Sequence, residues 1–390
     1  MKTRLFDLID NKRDELIEMA DYIFDNPEMP FEEYKASKLL TDYLKEEGFK
    51  VELGLGSLDT AFKATYENGD SGPNIGLLCE YDALPMGHGC AHHMQGASIV
   101  GAASAIKELY KDKSFTLTVY GTPAEEGGGG KIIMLKEGYL KELDVSLMMH
   151  GGPATQVDVR SLAASSLRVI YHGKSSHAAL KPEEGRSALD ALLLTFQAVE
   201  FLREHVLEDT RMHYTVLVAG GPNNVVPEMA SGSFSLRSYN SAYLATIVER
   251  FEDIVKGAAL MTGTTYEIIR DRELDSKVPV HKLNEVIMEN ANLVEAPMIR
   301  PAREKTGSSD FGNVMYQIPG SCIRTHFVSE NASSHSQEFL DAGKTEVGHN
   351  AVIYASKVLA ATAYDLINNS NLLDEIKEEF KNTKEKMTAI

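Results

Sequence analysis

The sequence predicts an α/β protein with a mainly parallel sheet, interrupted by an inserted α+β unit of ferredoxin-like order. Three observations carry this prediction. Apolar strand-like runs alternate with helical patterns as far as His150, as in a sheet covered on both faces. From about Leu167 to Glu273 the order becomes β-α-β-β-α-β. From Leu283 to Ala363 helix and strand alternate again, so the middle stretch reads as an insert. With 390 residues, two domains are expected: 1–165 with 275–390 as the catalytic domain, and 166–274 as the insert.

Each element has its signal. Leu5, Leu8, Ile9, Leu16, Ile17, Ile23 and Phe24 recur at near-helical spacing and predict one opening helix; a second runs from Glu32 to Glu47 and stops at Gly48. Strands are expected at Phe49 to Leu53, Thr60 to Tyr66 and Asn74 to Tyr81, the last after the turn Asn68-Gly69-Asp70. A Gly/His-rich loop leads to a helix from about His92 to Tyr110, then a strand from Phe115 to Thr122. A glycine-rich loop and a short helix precede a strand from Asp144 to His150. In the insert, strands are read at Leu167 to His172, Met212 to Ala219, Gly232 to Ser238 and Thr264 to Arg270. Its helices are Ser187 to Val206 and Tyr243 to Met261, the second closed by Gly263. A long helix is expected over Val347 to Asp365.

Composition bounds the function. A formal net charge of −18 argues against nucleic acid or an anionic membrane as partner. No stretch reaches the roughly 20 apolar residues of a membrane span, and residues 1–19 lack the apolar centre of a signal peptide. Cys79, Cys90 and Cys322 give no disulfide framework, which points to a reducing, cytoplasmic location.

The chemistry concentrates between Glu80 and His150. Asp82, Cys90, His92, Glu125, Glu126 and His150 follow or end three strand-like runs, and sites in parallel sheets form beyond the carboxyl ends of strands. Thiolate, imidazole and carboxylate together suit zinc, manganese or a similar divalent ion. In Gly87-His88-Gly89-Cys90-Ala91-His92-His93, Cys90 and His92 can reach one centre. A lone Cys-x-His would favour a buried cysteine beside surface histidines; three histidines round a glycine-flanked cysteine reverse that. In Thr122-Pro123-Ala124-Glu125-Glu126, neighbouring side chains diverge, so one carboxylate can bind metal while the other faces the attacking water as general base. The competing reading is a solvated acidic turn. Asp82 reads as the residue that orients a histidine ligand rather than as a ligand. His177, Asn224 and Arg237 in the insert, and His335 in the loop before the long helix, are ordinary by themselves and gain weight only from the wider pattern.

At these residues the chain resembles the dinuclear metallo-amidohydrolases typified by aminoacylase and hippurate hydrolase. The branch it is most similar to holds the indole-acetyl-amino-acid and aminobenzoyl-glutamate hydrolases. The matching pieces are E-Y-D-A-L-P, G-H-G-C-A-H-H, T-P-A-E-E-G-G-G-G, H-G-G-P, G-K-S-S-H-A-A, N-V-V-P, G-S-S-D-F-G-N and S-H-S-Q-E-F, in family order across most of the chain. Tyr81 and S-H-S-Q-E-F favour the aminobenzoyl-glutamate or dipeptide-hydrolase side. The resemblance implies a zinc-peptidase-like catalytic domain, a dimerisation lid and a homodimer. It implies two divalent ions, manganese or zinc with cobalt or nickel as alternatives. Cys90 would bridge them, with His92 and His150 on one and Glu126 and His335 on the other. Glu125 would be the general base, His177 would reach across the dimer to the oxyanion, and Asn224 and Arg237 would hold the substrate. The family usually has glycine where Ala91 stands and aspartate or asparagine where His93 stands.

The expected activity is metal-dependent cleavage of the amide of an N-acyl, aminobenzoyl or aminoacyl amino acid, or of a small dipeptide. An aminopeptidase on short peptides would share the metal centre but need a free substrate amine. A non-catalytic ligand-binding homologue is the third reading, and retention of Glu125 and all five ligands argues against it.

Overall fold

A computed structural model describes residues 1–389. The chain divides into two compact units, Met1–Arg160 with Lys277–Glu385, and Ser161–Ser276 with the residues from Lys386.

The first unit opens with α1 (Lys2–Asp10), α2 (Arg13–Asp25) and α3 (Tyr34–Glu46). The periodicity predicts a single helix in place of the first two. The chain breaks at Asn11-Lys12, where the Asn11 N–H closes onto the Asp7 carbonyl (2.9 Å) and the Lys12 N–H onto the Ile9 carbonyl (3.0 Å). Lys12 is drawn to the Tyr43 hydroxyl (3.2 Å) and to the Glu47 carboxylate. The apolar stripe survives the break, since Leu5, Ile9, Leu16 and Ile23 are all buried.

Next come β1 (Lys50–Leu55), β2 (Leu58–Asn68), β3 (Asn74–Cys79), α4 (His93–Leu109), β4 (Phe115–Gly121), α5 (Gly130–Glu137), β5 (Val145–Gly152) and β6 (Gln156–Ser161). The second unit holds β7 (Ala163–His172), α6 (Ala188–Leu202), β8 (Arg211–Val218), β9 (Met229–Ser238), α7 (Ser241–Thr262) and β10 (Thr265–Leu274). Then follow α8 (His281–Leu293), β11 (Arg303–Thr306), α9 (Phe311–Gln317), β12 (Gly320–His326), α10 (Gln337–Ala342), α11 (Glu346–Asn368) and α12 (Ser370–Thr388).

The large sheet has the order β1-β2-β4-β3-β5-β12-β6-β11. Its centre, β4-β3-β5-β12, is parallel, while β1, β2 and β6 pair antiparallel at the flanks. Parallel strands need helical crossovers, and these cover both faces. One face packs under α1 to α4, α8 and α11 around Leu77, Val119, Leu147 and Ile323. The other packs Leu78, Tyr120 and Met148 against Met134, Phe311 and Met315. α4 is buried from His93 to Ile106, so its first residues are held rigidly at the carboxyl end of β3.

In the second unit all four strands are antiparallel, in the order β10-β7-β9-β8. α6 and α7 bury Leu192, Phe196, Phe251 and Val255 against Leu167, Val169, Tyr171 and Phe234. Ser187 caps α6 by accepting the Asp190 N–H (3.2 Å), and Gly263 closes α7 in the left-handed region at φ 68°. β8 is one of the two outer strands, and its Tyr214, Val216, Leu217 and Val218 side chains are exposed. No helix among the described residues is long and apolar enough to cross a membrane.

Candidate metal centre

Three neighbouring parallel strands deliver the candidate residues at their carboxyl ends. β3 is apolar through Cys79, and the chain leaves it as Glu80-Tyr81-Asp82, all three side chains buried. The loop returning to α4 carries Cys90 and His92, each 1% exposed. Between them Ala91 has φ 66°, a conformation that costs a residue with a Cβ about 1–2 kcal/mol. That strained turn puts Cys90 and His92 on the same side. Asp82 then fixes the histidine, its Oδ1 lying 3.0 Å from His92 Nδ1 while its Oδ2 accepts the Glu126 N–H (2.8 Å). One carboxylate therefore locks the histidine loop to the acidic loop and leaves His92 Nε2 facing inward.

The acidic loop follows β4. Thr122 anchors it by donating its backbone N–H (2.8 Å) and its hydroxyl (2.9 Å) to the Cys79 carbonyl. The Gly128 and Gly129 N–H groups both donate to the Ala124 carbonyl (3.0 and 2.7 Å), curling the chain tightly behind the two glutamates. Gly130 permits this, because a Cβ there would stand 2.0 Å from the Pro123 carbonyl oxygen. Buried Glu33 holds the outside of the turn, accepting from the Ala124 N–H (2.9 Å), the Thr60 hydroxyl (2.7 Å) and the Phe31 N–H (3.0 Å).

His150 lies near the end of β5. Its Nδ1 is 2.8 Å from the Gly151 carbonyl, leaving Nε2 for another partner, and Arg324 Nη1 stands 3.2 Å from Nδ1. Burial, with Arg324 and His92 nearby, depresses its pKa to about 3, so His150 is the neutral imidazole a metal requires. His335 enters from the loop before α10 with φ 65°, donates its N–H to the Gly89 carbonyl (2.8 Å), and brings Nε2 to 2.9 Å from Glu126 Oε1.

Three groups of potential ligand atoms result, each within 4.8 Å of one another: Glu80, His92 and His150; Cys90, His92 and Glu126; and Glu80, Glu125 and Asp310. His92 and His150 rings meet edge to face, 5.5 Å apart. The donor set, one thiol, imidazoles and carboxylates, fits a borderline divalent cation. Burial pushes the Cys90 thiol up, and a bound cation would instead stabilise its thiolate. Burial disfavours charge on His92, but Cys90, Glu80 and Asp82 outweigh it and hold its pKa well above the usual histidine range. Burial, reinforced by Glu80 and Asp310, pushes Glu125 up to about 8, within the range useful for proton transfer near neutrality.

Glu80, Lys131 and Asp310 do not stand out as site residues in the sequence. Lys131 is fully buried and donates to Glu80 Oε1 (2.6 Å) and Asp310 Oδ1 (2.7 Å). Glu80 carried a signal, since it leaves the same strand end as Asp82. His93, where the family usually has aspartate or asparagine, points elsewhere: its Nε2 is 3.2 Å from the Gly343 carbonyl and its ring meets Phe24 and His88. It belongs to none of the ligand groups found among the described residues.

In the second unit His177 and Asn224 are neighbours. The Ala178 N–H donates to the Asn224 carbonyl (2.9 Å), and His177 Nδ1 accepts from the Ala179 and Leu180 N–H groups (3.2 and 3.3 Å). Both residues lie beyond the end of the sheet where His172 pairs with Met229. Arg237 is not with them. It pairs with Ala164 at the other end of β9, about 26 Å along the strand at about 3.3 Å per residue.

The sequence model of peptidase family M20/M25/M40 matches residues 78–359. The chain is similar to human Xaa-Arg dipeptidase, at 30% identity covering 98% of this chain and 92% of that protein. It is also similar to one of the subunits of p-aminobenzoyl-glutamate hydrolase from Escherichia coli K12, at 28% identity covering 96% and 93%. Among solved structures, a dinuclear metal binding peptidase of the M20 family from Bacillus subtilis superposes with a TM-score of 0.72 at 20% identity, covering 92% of this chain and 99% of that one. An aminobenzoyl-glutamate utilization protein from Klebsiella pneumoniae gives 0.72 at 20% identity, covering 93% and 98%. At such identities the superpositions speak for the fold.

Proposed function

The chain belongs to peptidase family M20/M25/M40 and is a metal-dependent hydrolase of amide bonds, and from that premise we propose the site and substrate as follows. The substrate is an N-acyl, aminobenzoyl or aminoacyl amino acid or a small dipeptide, cleaved at its single amide. Full-length similarity to Xaa-Arg dipeptidase favours the dipeptide among these. Cys90, His92, Glu126, His150 and His335 are the residues that would hold two divalent ions, manganese or zinc. Such ions supply Lewis acidity that polarises a carbonyl and acidifies water.

Glu125 is the general base. Its carboxylate takes the proton of the attacking water and passes it to the leaving amine nitrogen. Asp82 keeps His92 in one tautomer and one orientation throughout. His177, supplied by a second protomer, donates to the developing oxyanion with Asn224 beside it on the substrate, and Arg237, at the far end of β9, holds the substrate from the other protomer. A homodimer is supported by the open edge of β8, where Val216, Leu217 and Val218 are exposed on the outer strand. Three buried cysteines outside any disulfide fit a reducing, cytoplasmic setting.

The observation carrying this reading is the meeting of the ligand groups with Glu125 at the ends of β3, β4 and β5. Glu125→Gln tests it. Turnover should fall by roughly 10²–10⁴-fold while metal content stays at the wild-type level. Wild-type turnover in that variant would rule Glu125 out as the base.

A further inference from the structure

We propose that Glu80 is a sixth protein ligand of the metal centre, placed on the ion held by His92 and His150, and that Lys131, Asp310 and Gln95 hold its carboxylate in position for it. The proposal rests on the two-ion reading of the site above.

Glu80 is the first residue beyond β3, and its surroundings leave its side chain little freedom. Its N–H donates to Gln95 Oε1 (3.0 Å), and Gln95 Nε2 donates back to Glu80 Oε2 (2.6 Å). Lys131 Nζ donates to Oε1 (2.6 Å) and is itself gripped by Asp310. Each carboxylate oxygen accepts in about two directions. One direction on Oε2 is taken by Gln95; another faces His92 Nε2, 3.2 Å away.

That separation is informative. Two ligand atoms about 2.0–2.1 Å from one tetrahedral ion stand about 3.3 Å apart. His92 Nδ1 is committed to Asp82 and His150 Nδ1 lies against the Gly151 carbonyl, so Nε2 of each is the nitrogen left for a metal. The ligand atoms of Glu80, His92 and His150 lie within 4.8 Å of one another. Two imidazoles, a thiolate and a carboxylate would then be available to this ion, a donor set that suits zinc.

The charges agree. Lys131 Nζ, 2.6 Å from Oε1, sets a positive charge against the buried carboxylate. Lys131 and Asp310 bring one charge of each sign, so they add nothing net and act as a brace. A Glu80 that served only to neutralise Lys131 would need no second carboxylate there, and Asp310 already lies 2.7 Å from Lys131.

The test is metal binding by the whole chain. Metal-depleted wild type, Glu80→Gln and Lys131→Met are titrated with zinc against a chromophoric chelator, and cobalt(II) absorption is recorded on each. Wild type should take up two ions. Glu80→Gln should hold one as wild type does and bind the other more than about 100-fold more weakly, beyond the 10–100-fold loss typical of an outer partner. Its cobalt bands should change at that ion. Lys131→Met, which keeps the carboxylate and removes an outer partner, should weaken that ion by about 10–100-fold and no more. Two ions bound to Glu80→Gln at wild-type affinity with unchanged cobalt bands would overturn the assignment of Glu80 alone. Fewer than two ions on wild type would overturn the two-ion reading and Glu80's place with it. If Glu80→Gln does not fold, Glu80→Asp replaces it: a carboxylate drawn back by one methylene should weaken one ion and shift its cobalt bands, and no change in either would overturn the assignment.

Discussion

Replacing Lys131 by methionine removes the positive charge from a fully buried trio while keeping most of the side-chain volume. Lys131 Nζ lies 2.6 Å from Glu80 and 2.7 Å from Asp310. At an effective dielectric constant of about 20, each contact is worth roughly 6 kcal/mol of gross attraction. Desolvating three ions costs several kcal/mol apiece, so the intact trio contributes little net stability. The variant keeps the desolvation of the two carboxylates and loses the attraction. Glu80 and Asp310 would face each other, with Glu125 in the same group. Uptake of a proton by one carboxyl limits the damage, and the expected loss is that of a broken buried pair, about 3–5 kcal/mol. Urea unfolding of metal-free protein, followed by far-UV circular dichroism, measures it. Adding Asp310→Asn should recover part of the loss, because it removes one of the stranded charges. A loss below about 1 kcal/mol, or no recovery in the double variant, would refute the reasoning.

Other consequences are independent of that trio. Asp158, 1% exposed, accepts from Arg303 (2.9 Å) and Arg324 (3.1 Å) and lies 3.3 Å from Lys277, so Asp158→Asn should cost about 3–5 kcal/mol in the same unfolding assay; a change under about 1 kcal/mol would contradict this. Glu125 gives a pH signature in metal-free protein. Its folded value of about 8 exceeds the ordinary 4.5, so its stabilising contribution is full below 4.5 and is lost as pH rises to about 8, by at most about 5 kcal/mol. Wild type should therefore weaken relative to Glu125→Gln between about pH 5 and pH 8.5, and parallel profiles would refute it. Val216→Asp, on the exposed edge strand β8, should convert a dimer to monomer by light scattering, and an unchanged mass would move the interface elsewhere.

Much of this was legible in the sequence because the signals are local. Val145 to Met149 is an apolar run ending in a histidine, and Gly48 and Gly263 stop the helices before them. α12, Ser370–Thr388, was missed although its amphipathic pattern is local, and the other misses include elements whose signal is tertiary. β11, Arg303–Thr306, is a charged four-residue strand that reads as loop. β6, Gln156–Ser161, begins and ends polar and joins the sheet through β12, far away in sequence. The break between α1 and α2 comes from the partners of Lys12 in and after α3, which periodicity cannot register. The site divides likewise. Cys90, His92, Glu125, Glu126 and His150 stand in compact motifs, and the structure gathers them at neighbouring strand ends. Lys131 reads as a surface cation after a glycine run until Asp310, 179 residues away, is folded against it. His93 lies beside the candidate ligand His92 in sequence, but the helix it begins turns its ring toward Phe24.

The central claim is a two-ion amidohydrolase site, and its most direct test is bound metal per chain measured together with hydrolysis. Metal-depleted protein would be reloaded with manganese, zinc or cobalt and assayed on N-acyl amino acids, aminobenzoyl-glutamate and dipeptides, including some with C-terminal arginine. The account predicts about two ions per chain and cleavage that appears only on reloading. Folded protein that binds no metal under any loading, or cleaves equally well without it, would contradict the account.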